Sequence, residues 1–229
     1  MNRAVPIAPR ALLPALVTRA LAHGALRFAC SLLLSPFSTL ASEDATWLPA
    51  DAEFEPDAPH PTPVMFVHGL FSHPGHFRML HRFLTTRGFR NFAAFSYAPR
   101  VDHEELAEPL GRMIEAVCEV TGAAEVDVVG HSLGGLVARH LLERGAGARV
   151  RRLVSLGAPC LTDTLPERES AIFGAADVVV PPPRGLRGRS AIVAGCGHVG
   201  LLYQPAALRQ VAAFLGEEAP PAARALAAA

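Results

Sequence analysis

Ser132 stands in the run Gly130-His131-Ser132-Leu133-Gly134, the spacing G-x-S-x-G. The apolar stretch VDVV precedes it and a helix-like run follows. A serine hydroxyl is a weak nucleophile until a base takes its proton. Held at a tight strand-to-helix turn between glycines, it is lifted above a sheet edge where a base can reach it. The base is sought later in the chain, after a carboxylate. His198, in GCGHVGLL, comes directly after the last apolar strand with glycines on both sides. A loop there can carry an imidazole back over the strand ends. Asp177, in AIFGAADVVVPP, lies just past the preceding strand and is suited to hold the imidazole tautomer and stabilise its charged form. Asp163 is the rival acid, with Glu167 and Glu169 weaker, and Asp127 reads as structural. His131 reads as part of the turn backbone, and His140 as facing elsewhere. His68, His73, His76, His81 and His103 precede the serine. A tetrahedral intermediate needs donors aimed at its oxyanion. The Leu133 N–H is one. The second is expected from FVHGLFSHPG, where Gly69 lets the backbone approach and the Leu70 N–H points inward, with the Phe71 N–H as the alternative.

These groups need a scaffold, and the chain supplies alternating strand and helix patterns. VMFV at 64–67 is a short buried strand, and HFRMLHRFLTTRG is a helix ending at Gly88. NFAAFSY is the next strand. EELAEPLGRMIEAVCEVTG is a helix with Leu106, Leu110, Met113, Ile114 and Val117 on one face. VDVV, a helix from 132 to about 144 and RLVSLG follow. A strand near Ile172, the strand AIVAG and a final helix over 205–215 complete the set. Uniformly apolar strands alternating with helices predict a parallel sheet covered on both faces. The segment between Pro159 and Ile172 barely suffices for a parallel crossover, so a loop or one helical turn is expected there.

The 229 residues, half of them hydrophobic, suffice for one ordinary domain with a sizeable core. Formal net charge is zero and every basic residue is arginine. A nucleic-acid surface would need a net basic domain with a defined face, which is lacking. The four cysteines, Cys30, Cys118, Cys160 and Cys196, show no CxxC or metal-ligand spacing, and Cys118 and Cys196 read as packing. Residues 1–41 carry Arg3, Arg10, Arg19 and Arg27, no acid, and a short apolar core. They predict an export signal cleaved near Ala41, with a membrane-associated segment as the other reading. The protein is accordingly expected to be secreted or membrane-associated, the alternative being cytoplasmic. Residues 42–62 read as a Pro-rich acidic arm, 63–216 as the catalytic domain and 217–229 as a low-complexity tail.

FVHGLFS, VDVVGHSLGG, LVSLGAP, GAADVVV and GCGHVGLLY together resemble the α/β-hydrolase superfamily, and within it the small lidless bacterial lipases and esterases. The resemblance spans about residues 64–214. Its last segment, GxGHxGLL, is far narrower than G-x-S-x-G. It implies a minimal α/β-hydrolase fold of about six mostly parallel strands with helices on both faces. The implied strand order is 4-3-5-6-7-8, counting the strand at Val64 as the third. It implies ester hydrolysis through an acyl-enzyme, with Ser132 as nucleophile, Asp177 as acid and His198 as base. The amides of Leu70 and Leu133 are the implied oxyanion donors, and no metal or organic cofactor is called for. The expected substrate is a small-molecule acyl ester or a lipid, with possible contact to a lipid or membrane surface. Leu70, Phe71, Leu161, Val178, Val179, Val199 and Leu201 are candidates for an apolar rim around an open serine. Thioesterase or acyltransferase chemistry would use the same triad. A non-catalytic binding protein on this fold is disfavoured by the intact Ser132, Asp177 and His198.

Overall fold

The computed structural model describes residues 54–97 and 102–217. The expected leader at 1–41, the first part of the arm and the tail beyond 217 lie outside the described residues. The strands are β1 (Val64–Val67), β2 (Phe92–Phe95), β3 (Val126–His131), β4 (Val150–Leu156), β5 (Glu169–Gly174) and β6 (Arg189–Val193). The helices are α1 (Arg78–Thr85), α2 (His103–Thr121), α3 (Leu133–Glu143) and α4 (Pro205–Leu215), with 3-10 turns at Pro74–Phe77 and Val199–Leu202. The strands form one sheet in the order β2-β1-β3-β4-β5-β6. Every pairing is parallel. Counted with β1 as the third strand, this is the expected order, and the sheet is parallel throughout.

β1 and β3 are buried at every position, as strands covered on both faces must be. Alternate residues serve opposite cores. Phe66, Val129 and Val154 pack with Leu80 and Leu84 of α1 and Leu208 and Val211 of α4. Met65, Val67 and Val128 pack with Leu106 and Leu110 of α2 and Leu136 and Val137 of α3. Asp102 caps α2 by accepting from the Glu104 and Glu105 amides at 2.9 and 3.2 Å, and Gly122 ends it at φ 70°. Leu106, Leu110 and Ile114 of its expected apolar face are buried, but Met113 is 36% exposed and Cys118 packs inward instead. The buried stripe runs 106, 110, 114, 118, which leaves position 113 on the flank.

Two connections depart from a sheet covered by helices on both sides. Neither the β4–β5 link nor the β5–β6 link contains a helix. On the α2–α3 side, Leu165 and Leu186 from these coils cover Ala171 and Phe173 of β5 in a small separate cluster. Ile192 of β6 is left 60% exposed. The described part of the arm is pinned to the domain. Asn91 accepts from the Glu55 amide at 2.8 Å and donates to the carbonyls of Glu55 at 3.0 Å and Pro61 at 2.7 Å, while His60 stacks on Phe89. At the foot of the sheet Arg151 grips Asp127 with contacts of 2.9 and 2.5 Å. Arg151 and Arg152 also donate to the Leu215 carbonyl at the end of α4, at 2.8 and 2.9 Å. Asp127 is therefore paired across strands.

Candidate active site

The residues expected to act follow the C-terminal ends of four parallel strands. Ser132 follows β3 directly, half-buried, at φ 54° and ψ −120°. A non-glycine residue with positive φ carries backbone strain, and such strain collects at functional sites. Its amide donates to the Leu156 carbonyl at 2.8 Å, which fixes the turn to β4. Leu133 opens α3, whose first amides have no partner within the helix. The close approach of α3 to β1 explains Gly134: a Cβ there would collide with the carbonyl oxygens of Val67 and His68.

A buried ionic network holds α3 in this position. Arg139 donates to both carboxylate oxygens of Glu169, at 2.6 to 3.1 Å, and to the Ser155 hydroxyl at 3.2 Å. It also donates to the Pro159 carbonyl at 2.5 Å. Glu169 thus serves the structure. Asp163, the first rival acid, is exposed and paired with Arg187 at 2.9 and 3.0 Å, and that pairing lowers its pKa.

Asp177 and His198 meet. The Nδ1–H of His198 donates to Asp177 Oδ2 at 2.8 Å, and both side chains are buried. Asp177 Oδ1 accepts from the Val179 and Val180 amides at 2.9 and 2.8 Å, so three donors orient the carboxylate. Pairing at Nδ1 puts the basic lone pair of a neutral imidazole on Nε2. Gly157, at φ 57°, runs close beside this pair: a Cβ there would lie 3.1 Å from both Asp177 Oδ2 and His198 Nδ1.

The loop after β1 forms a turn in which the Ser72 amide donates to the Gly69 carbonyl at 3.2 Å. Its third residue, Phe71, has φ 54°, a conformation that turns of this kind usually give to glycine. Leu70 and Phe71, the expected sources of a second oxyanion donor, thus sit at the bend. His68 braces the loop. Its Nδ1–H donates to the Gly69 carbonyl at 2.9 Å, and its Nε2 accepts from the Tyr97 amide at 3.3 Å. Tyr97 stacks on the ring and its hydroxyl donates to the His68 carbonyl at 2.6 Å. Next to it Ser72 Oγ lies 2.6 Å from His76 Nδ1. Burial, then His73 and His68, push the His76 pKa down to about 4.

His131 has a role that reasoning from the sequence missed. Its side chain reaches the main chain of His198 at 3.2 Å. A histidine beside the serine was the visible signal, but nothing in the spacing says that its ring turns toward residue 198. Of the apolar rim candidates, Phe71 and Val178 are 60% exposed and Leu161 is 39% exposed. Leu201 is fully buried and belongs to the core, because it packs over Gly157. Among the described residues no group of three or more His, Cys, Asp or Glu side chains is arranged to hold a metal ion.

Residues 61–164 match the family model of class 2 lipases. This stretch holds β1 through β4 and the serine turn, and the match supports ester hydrolysis. Among solved structures, a predicted CIB-like hydrolase from Thermoplasma acidophilum superposes with a TM-score of 0.52 at 17% identity, over 69% of this chain and 87% of that one. The monoacylglycerol lipase of Paleococcus ferrophilus gives 0.51 at 16% identity, over 69% and 95%. Aspergillus fumigatus lipase B gives 0.56 at 14% identity, over 69% and 53%. At these identities the likeness is one of fold. A six-stranded parallel sheet in this order, with a strained serine at the tip of β3, gives the chain a minimal α/β-hydrolase fold, and the part of it that holds the serine turn is similar to the class 2 lipases.

Proposed function

We propose that the protein hydrolyses carboxylic esters of short to medium acyl chains or of lipids through Ser132, His198 and Asp177. The observation that carries this reading is the strained serine turn on a scaffold that also pairs Asp177 with His198 at 2.8 Å. Ser132 Oγ attacks the acyl carbon as His198 Nε2 takes its proton. Asp177 holds the tautomer and stabilises the imidazolium. The amides of Leu70 and Leu133 stabilise the oxyanion. The imidazolium returns the proton to the leaving alkoxide, and the acyl group stays on Ser132. Water, deprotonated by His198, then releases the acid and restores the serine. Phe71, Leu161 and Val178 extend exposed apolar surface from three loops at this end of the sheet. They suit an acyl chain or a lipid surface at the mouth. On the basic, acid-free residues 1–41 the protein is proposed to be exported, with cleavage near Ala41, which mass spectrometry of the mature N-terminus tests.

The deciding assay is hydrolysis of a p-nitrophenyl ester series from acetate to palmitate. Wild type is expected to turn over at least part of the series, with turnover nearly abolished in a folded Ser132→Ala variant. The chain-length optimum separates esterase from lipase. Folded wild type inactive on every ester would sink the proposal and bring thioester or acyl-transfer chemistry forward.

A further inference from the structure

Ester hydrolysis on this scaffold requires Ser132, at the tip of β3, to meet His198, which follows β6. Two strands, β4 and β5, lie between them. Asp177 orients the His198 ring, but it cannot by itself fix the main chain from which that ring hangs. His131 supplies a second hold. It is the last residue of β3, paired in register with Leu156, and it is 3% exposed. Its Nε2–H donates to the His198 carbonyl at 3.2 Å. The two rings lie 4.7 Å apart at 48°. A carbonyl only accepts, so the proton sits on Nε2 and Nδ1 carries a lone pair. That Nδ1 is buried and has no hydrogen-bond partner among the described residues. It lies under the oxyanion loop, 3.3 Å from where a Cβ on Gly69 would stand.

This is a costly residue to bury here. An unpaired buried ring nitrogen is destabilising, and leucine would fill most of the space without it. The bond to His198 is what leucine could not provide. We infer that His131 is a positioning residue that sets the approach of His198 to Ser132 by tying the backbone of the base to the residue before the nucleophile. The inference rests on the ester-hydrolase reading above. Because His131 and Ser132 are consecutive, one side chain spans the gap between the strand of the nucleophile and the loop of the base. A misplacement of about 1 Å costs about 10²-fold in rate. His131 must also remain neutral, since His198 becomes a cation during acylation. Burial and then the nearby His198 hold its pKa well below the usual range, and His68 and His76 face it with the same sign of effect.

Three variants test this. His131→Leu keeps volume and removes the donor. His131→Gln offers an amide N–H at nearly the reach of Nε2, and His131→Asn falls short of it. With p-nitrophenyl butyrate, the Leu and Asn variants are expected to lose about 10- to 100-fold in kcat with KM within about twofold, and Gln to recover most of the loss. In proton NMR without substrate, the downfield Nδ1–H resonance of the His198–Asp177 pair should persist in wild type and Gln and vanish by exchange in Leu. Equal kcat in Leu and Gln, or a Leu variant with that resonance intact, overturns the inference. If the Leu variant does not fold, Gln against Asn decides in the same way. The NMR readout needs no turnover, so a wild type inactive on esters ends the ester reading and still leaves the positioning role decidable.

Discussion

Ser132 and Phe71 are the two described non-glycine residues with positive φ, and both lie at the candidate site. Strain of this kind costs about 1–3 kcal/mol per residue and persists only where the surroundings impose it. Here those surroundings are the β4 carbonyl that holds Ser132 and the Gly69–Ser72 bond that closes the turn at Phe71. The acid is the residue whose assignment most needs a test. Asp177 lies buried against His198 with three donors around it, whereas Asp163 stands in solvent beside Arg187. Asp177→Asn is expected to lower kcat on a p-nitrophenyl ester by about 10⁴-fold through the wrong tautomer. Asp163→Asn is expected to stay within about twofold of wild type, since an exposed ion pair contributes about 0–1 kcal/mol. A dead Asp163→Asn beside an active Asp177→Asn would reverse the roles. Asp177 and His198 were legible as candidates because each directly follows an apolar strand. The link from His131 to His198 was not, because a ring's direction depends on packing between segments 67 residues apart.

At the scale of elements, the alternation of buried strands and amphipathic helices carried the sheet order and most helix bounds. Pattern reading works there because a residue's face follows from its spacing. It failed where coil does the work of a helix. Nothing in residues 157–168 or 175–188 announces that Leu165 and Leu186 cover one side of β5, or that Ile192 stays open. Nor does any spacing reveal that Arg139 and Glu169, 30 residues apart, meet inside the protein. That pair joins α3, β5 and the loop at Pro159, so it also steadies the helix behind Ser132. Glu169→Gln should cost about 3–5 kcal/mol in urea unfolding, because it leaves a buried guanidinium uncompensated. The double replacement Arg139→Met with Glu169→Leu should recover most of that cost. A single variant within about 0.5 kcal/mol of wild type would show that the network carries little weight.

For the whole molecule, the histidines set the response to acid. His60, His68, His76, His81, His103 and His131 all have lowered pKa values, with burial as the leading cause in each. The unfolded chain takes up these protons from about pH 6.5 downward. The folded protein takes them up only below the lowered values. Between the two limits the unfolded state holds more protons, so stability falls as pH falls. For His76 this window runs from 6.5 to about 4. The urea midpoint is therefore expected to be level between about pH 7 and 8 and to decline steadily from about 6.5 to 4. A midpoint unchanged at pH 4.5 would contradict this account. The grip of Arg151 and Arg152 on the Leu215 carbonyl has a different consequence. It anchors the end of α4 at the N-terminal ends of β3 and β4, while Ser132, Asp177 and His198 sit at or beyond the opposite ends of their strands. A solid support coupled at the end of α4 would attach at the foot of the sheet, and the immobilised protein would present its serine to the bulk solution.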